Sequence, residues 1–176
     1  MSAYKERSGF EGVLVRFSVR GEPKSQPRPR FINGRVVSNV SPEVSRWQAA
    51  VRRAAGEALC AIAEGLPDKA TALRVNVTFF FGTKKRERWG KPHTHKPDRD
   101  NCDKLVLDEC TAVGVFGGDD CRVSTGTISK AWCAPGGEGC IVEVLVDEQK
   151  WPVRGLDEEN HTDTADGVPE WLKKNP

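Results

Sequence analysis

From Val13 to Val19 the chain reads Val-Leu-Val-Arg-Phe-Ser-Val, a period-two alternation that predicts a half-buried strand. Gly21-Glu22-Pro23-Lys24 breaks it, and a cation-rich turn continues through Gln26-Pro27-Arg28-Pro29-Arg30-Phe31. Ile32-Asn33-Gly34-Arg35-Val36 then carries the Asn-Gly signature of a tight hairpin, so Arg28, Arg30 and Arg35 are expected to project from one ordered loop. Ser41-Pro42-Glu43 reads as a helix start, with Ser as N-cap, Pro in the first turn and an acid favoured by the helix dipole. Val44, Trp47, Val51, Ala55, Ala58 and Ile62 follow at helical spacing as an apolar stripe, with Arg46, Arg52 and Arg53 off it, and Gly65 with Pro67 ends the helix. Trp47 is thus expected to anchor the core.

Leu73 to Phe81 is rich in β-branched and aromatic residues and predicts a second, well-buried strand. Two further strands are read at Arg122 to Ala131 and Gly139 to Val146, parted by the Pro135-Gly136-Gly137 turn. Before them, Asn101 is read as the N-cap of a second helix whose buried face is Cys102, Leu105, Val106, Cys110 and Val113, and Gly114 to Gly118 turns the chain back toward the sheet. Lys104 and Asp108, four apart, share another face of that helix.

A chain of 176 residues suits one domain, and no apolar run approaches the roughly 18 residues needed to cross a bilayer. The start lacks the apolar core of a signal peptide, so a cytoplasmic location is expected and the six cysteines should be free thiols. The net charge of +2 averages two unlike regions. Residues 147–176 carry four basic and eight acidic side chains, a balance of −4, which leaves +6 for residues 1–146. We read 1–146 as the folded domain and 147–176 as an acidic tail or docking peptide, capable of competing with a polyanion for the basic body.

The cations concentrate between the second strand and the second helix. Lys84 to Pro97 holds six Lys or Arg against one acid, and its two prolines and one glycine argue against regular structure. Directly after it come Asp98, Asp100 and Lys104, and beyond the helix Asp119-Asp120. Asp98 and Asp100 are expected just before the helix and Asp119-Asp120 just after the return turn, so helix-on-strand packing could make the two acidic clusters converge. Converging carboxylates repel unless a cation neutralises them, and oxygen-only sets suit Mg²⁺, with Mn²⁺ as a substitute. Such an ion binds phosphate oxygens, makes a nucleophile of a bound water and stabilises a leaving oxygen, while Lys104 could neutralise charge on the phosphate or position the water. The plainer reading makes these acids caps, turn formers and solvated surface.

The run Lys96-Pro97-Asp98-Arg99-Asp100-Asn101 with Lys104 and Asp108, then Asp119-Asp120-Cys121-Arg122-Val123 and Lys130, resembles the RusA-like Holliday junction resolvases, which are common in phages and prophages. Gly21-x-Pro23-Lys24 followed by Arg28-Pro29-Arg30 resembles the N-terminal loop of that family, and the likeness spans roughly residues 13–146. It implies an α/β (α+β) fold, a small mixed sheet packed with two main helices, in a homodimer that binds four-way DNA junctions and cuts two opposing strands with Mg²⁺ in recombination and repair. By position, Asp98, Asp100 and Asp120 match the catalytic carboxylates and Lys104 the essential lysine, with Asp119 as a further metal ligand or neighbour. Cys102 stands where the family has an aliphatic residue, and Gly117-Gly118 loosen the approach to Asp119.

Lys24, Arg28, Arg30, Lys84, Lys85, Arg86, Arg88, Lys91 and Lys96, with Lys130, are the expected DNA-contacting cations, holding phosphates without reading sequence. Trp89 could stack on an unpaired base or staple its loop down. His93 and His95 fit phosphate contact or solvation. The cysteine spacings include no Cys-x-x-Cys knuckle, so small buried hydrophobes are expected in place of a zinc site. A non-catalytic binder of branched or single-stranded DNA would keep the cations without needing Asp98, Asp100, Asp120 and Lys104 together. A phosphatase-like enzyme would not need the extended basic surface. No nucleotide cofactor and no membrane are expected.

Overall fold

The computed structural model describes residues 13–148 apart from 28, 29, 33, 38, 39, 63, 64, 69 and 70. Arg28 and Asn33 fall outside the described residues, as does the acidic stretch from 149 onward. Six strands and two main helices form an α+β fold: β1 Val13–Arg20, β2 Arg30–Ile32, β3 Arg35–Val37, α1 Pro42–Cys60, β4 Leu73–Gly82, α2 Arg99–Val113, β5 Val123–Cys133 and β6 Gly139–Val146. The main sheet is mixed, ordered β1-β6-β4-β5, and β2 pairs with β3 as a separate hairpin whose Gly34 turns at φ +75°.

β6 lies antiparallel to both β1 and β4, whereas β5 lies parallel to β4. A parallel neighbour needs a long crossover, and residues 83–122 supply it with α2 inside. The cationic loop and both acidic sets therefore ride on this single connection.

The alternation read in the sequence appears as burial. Val15, Phe17 and Val19 of β1, Leu73, Val75, Val77, Phe79 and Phe81 of β4, and Cys140, Val142 and Val144 of β6 point to one face, where the two helices cover them. The opposite face carries polar pairs, such as Arg16 with Glu143 at 3.2 Å and Asn76 accepting from the Thr127 hydroxyl at 2.9 Å. α1 begins as expected, with Ser41 Oγ accepting from Val44 N at 3.4 Å, and it buries Trp47, Val51 and Ala55. It ends at Cys60, ahead of the Gly65 and Pro67 stop, while Ile62 still packs on the core.

α2 differs from the expectation at its start. Its N-cap is Asp98, so Asp100 and Asn101 stand within the first turn. The first helical bond, Cys102 N to Asp98 O at 3.2 Å, needs no apolar partner in that turn, which is why the apolar run alone placed the start too late. One acid also belongs to the buried face: Glu109, 4% exposed, receives both Nε and Nη2 of Arg52 on Oε2, at 2.7 and 2.6 Å. This charge-assisted fork joins α2 to α1. All six cysteines are free. Cys102, Cys110 and Cys140 are buried, and desolvation pushes their thiols up to about 11, 12 and 12, so they are packed as neutral small hydrophobes. Among the described residues no helix is long and apolar enough to cross a membrane.

Candidate functional site

The connection from β4 to α2 is more ordered than its prolines suggested. A 3₁₀ turn spans Arg86–Arg88, and the chain then runs along the outer edge of β5, with Gly90 N to Trp132 O, Trp132 N to Lys91 O and His93 N to Lys130 O all at 2.9 Å. An edge strand presents unpaired backbone groups, and this loop satisfies them. His93 follows as a buried wedge. Its ring lies 4.1 Å from the centroids of both Phe81 and Trp132, with His95 at 5.9 Å. Burial first, then the charge of Lys130 and the neighbouring His95, lowers its pKa, so the ring is neutral in its slot with Nδ1 unpartnered.

Lys130 completes the anchoring. Its ammonium donates to His95 O at 2.8 Å and Pro97 O at 2.6 Å, the two carbonyls flanking Lys96. A residue expected among the DNA-contacting cations is therefore engaged with the backbone that leads into Asp98. On the other side of the same turn, Gln26 N donates to Asn101 O at 2.9 Å, which ties the N-terminal Pro-rich loop to the first turn of α2.

Asp98 and Asp100 are exposed at this secured helix start, and the Asp98 carboxylate makes no capping hydrogen bond. Helical geometry places Asp100, Lys104 and Asp108 along one stripe, and Lys104 Nζ meets Asp108 Oδ1 at 3.1 Å while staying largely exposed. Asp103, on a neighbouring line of the helix, is half-buried. It helps line a cavity of about 160 Å³ between α2 and β5 with Val75, Leu107, Val123, Ser124, Thr125, Gly126 and Ile128. Desolvation raises its pKa to about 6 against the opposing charge of Arg99.

Asp119 and Asp120 follow the other end of α2, beyond its left-handed cap Gly114 at φ +86°. Asp119 caps the 3₁₀ turn Asp120–Arg122 by accepting from Cys121 N at 3.0 Å, and that bond holds its carboxyl below the usual range. Arg122 fixes the turn in place. Its guanidinium donates to Asp68 O at 2.6 Å, Phe116 O at 3.0 Å, Thr71 O at 3.2 Å and Pro67 O at 3.3 Å. Gly117 makes room for it: a Cβ there would lie 2.7 Å from Arg122 Nη1, and its φ of +71° also favours glycine. The glycines that suggested a loose approach to Asp119 thus admit a guanidinium clamp.

The two acidic pairs, expected to converge, stand before and after α2 and are not gathered into one set: among the described residues no group of three or more His, Cys, Asp or Glu is arranged to hold a metal ion. Each pair still offers hard, exposed carboxylate oxygens. Mg²⁺ binds through one or two carboxylates, retaining waters and taking substrate phosphates, so the donor chemistry fits.

The remaining expected cations distribute around this connection. Lys84, Lys85, Arg86, Lys91 and Lys96 are exposed, Arg88 stands 5.5 Å from the Trp132 ring, and Lys24 is paired with Glu22 at 2.5 Å. Arg30 opens β2. Sequence reading missed the positioning roles of Arg122 and Lys130, because a carbonyl clamp has no spacing rule; their places inside the acidic motif and on β5 were the only signals.

The family model described as Endodeoxyribonuclease RusA matches residues 20–144. The chain belongs to this family. It is accordingly an endonuclease acting on DNA, of the kind that resolves Holliday junctions. Among curated proteins no match was found.

Proposed function

We propose that the protein is a Mg²⁺-dependent, structure-specific endonuclease that resolves four-way junctions by paired symmetric cuts, working as a homodimer in DNA recombination and repair, and that it is encoded by a phage or prophage. The observation that carries this reading is the pairing of each acidic set with its own backbone clamp, Lys130 before α2 and Arg122 after it, on one crossover that also bears the cationic loop. A merely solvated acidic surface needs no such rigid support.

Asp98 and Asp100 are the residues that would hold a metal at the start of α2, and Asp119 and Asp120 those that would hold one beyond its other end; Mn²⁺ would serve as a substitute. When bound, the ion supplies activation of a water and stabilisation of the leaving oxygen. Lys104 balances negative charge beside Asp100, with Asp108 orienting its ammonium at 3.1 Å. Lys24, Arg28, Arg30, Lys84, Lys85, Arg86, Arg88, Lys91 and Lys96 hold phosphates on either side, a contact set that fixes register without reading bases. Lys130 serves this site mainly through the loop it secures. A two-fold junction is matched by a two-fold enzyme, which is the argument for the homodimer.

The test is cleavage of an end-labelled synthetic four-way junction beside a linear duplex, each with Mg²⁺ and with EDTA. Paired cuts on the junction alone, and only with metal, are expected. Tight junction binding with no cut under any divalent ion would replace this reading with a non-catalytic binder.

A further inference from the structure

Trp89 stands apart from the chemistry assigned above. Among the described residues it and Val40 are the large hydrophobics left exposed, Trp89 at 39%. Its indole N–H donates to Thr83 O at 2.9 Å, and the Arg86 guanidinium carbon lies 5.8 Å from the ring centroid. The adjacent backbone is held by Trp89 N to Arg86 O at 3.2 Å and Gly90 N to Trp132 O at 2.9 Å. The ring is therefore a fixed platform whose single polar edge is already satisfied, and Lys84, Lys85 and Lys91 are exposed in the same loop.

Such a surface fits one class of ligand. An aromatic face attracts a flat π-system, and clustered cations attract phosphate, so together they match a nucleotide. In an intact duplex both faces of a base are covered by its neighbours, and only an unpaired or extruded base can present one. We propose that Trp89 and Arg86 form a stacking site for an unpaired nucleobase of DNA, with Arg86 and the adjoining lysines meeting its flanking phosphates. The proposal deepens the nuclease reading, resting on it only in taking DNA as the ligand.

The experiment measures binding of the full chain in EDTA to a single-stranded oligonucleotide containing 2-aminopurine and to a duplex of the same length. Trp89→Ala should weaken single-strand binding about tenfold and abolish the 2-aminopurine fluorescence change, with duplex affinity nearly unaltered. Trp89→Phe, which keeps a stacking face but loses the N–H to Thr83, should retain most of the affinity. Unchanged single-strand binding in Trp89→Ala, or an equal loss on both DNAs and in both variants, would overturn the proposal in favour of a staple. Trp89-dependent single-strand binding by a protein that cuts no junction would leave the stacking site standing and remove the nuclease reading.

Discussion

The ammonium of Lys130 on β5 lies 2.6 Å from the carbonyl oxygen of Pro97, the residue immediately before the Asp98 cap of α2. A strand side chain thereby sets where a helix begins, and with it the position of two carboxylates. Lys130→Met should leave junction binding within about threefold while slowing cleavage about a hundredfold, the scale of loss for reacting groups displaced by about an ångström. Were Lys130 chiefly a phosphate contact, affinity would fall and the salt dependence of binding would drop by about one ion. Junction titrations at several salt concentrations beside single-turnover cleavage separate the two.

Arg122 performs the matching task beyond α2. Arg122→Ala strips donors from four carbonyls and is expected to destabilise the protein by about 2–3 kcal/mol. Gly117→Ala, which crowds Nη1 and strains a left-handed residue, should cost about 1–2 kcal/mol. Urea denaturation of both variants checks this, and a loss in Gly117→Ala exceeding that in Arg122→Ala would contradict the clamp.

Asp103 makes stability depend on pH. Its folded pKa of about 6 lies above the ordinary 3.8, so the fold favours the protonated form. Its burial is therefore free of penalty below the unfolded pKa, and the penalty of ionisation grows as pH rises through about 6. Asp103→Asn should gain on wild type between pH 4 and pH 7, by on the order of 1 kcal/mol once its partial exposure is allowed for. A constant difference across that range would show that Asp103 is not desolvated. His93 acts in the opposite direction: its lowered pKa means stability is lost as pH falls below about 6.5, the ordinary histidine value.

The balance of −4 over residues 147–176 against +6 over the rest gives a prediction for the tail. A chain ending at Asp147 should bind random duplex more tightly than the full chain at low salt, and the gap should close as salt is raised. Asp147 is kept because Ser124 Oγ, Thr125 Oγ1 and Arg74 Nη2 all donate to its carboxylate. Equal affinities at low salt would rule out competition by the tail.

Much of this architecture was legible in the sequence because it obeys periodicity. The alternation of Val13–Val19, the stripe from Val44 to Ala58 and the strand at Gly139–Val146 all appear where the pattern put them, and Ser41 caps α1 as its identity implied. What was not legible depends on tertiary partners. Asn101 looked like a cap because it precedes the apolar run, whereas a first turn made of Arg99, Asp100 and Asn101 is legible only once Lys130 and Gln26 are seen to hold it. Glu109 breaks an apolar face and is tolerated because Arg52, 57 residues earlier, reaches it. The loop 84–97 seemed irregular by composition, yet the unpaired edge of β5 recruits it.

The central claim, that the carboxylates on both sides of α2 are each required for cutting DNA, is tested most directly by Asp98→Asn and Asp120→Asn on an end-labelled four-way junction with Mg²⁺. Each is predicted to bind the junction as wild type does and to leave it uncut. Paired cleavage by either variant at the wild-type rate would contradict the account.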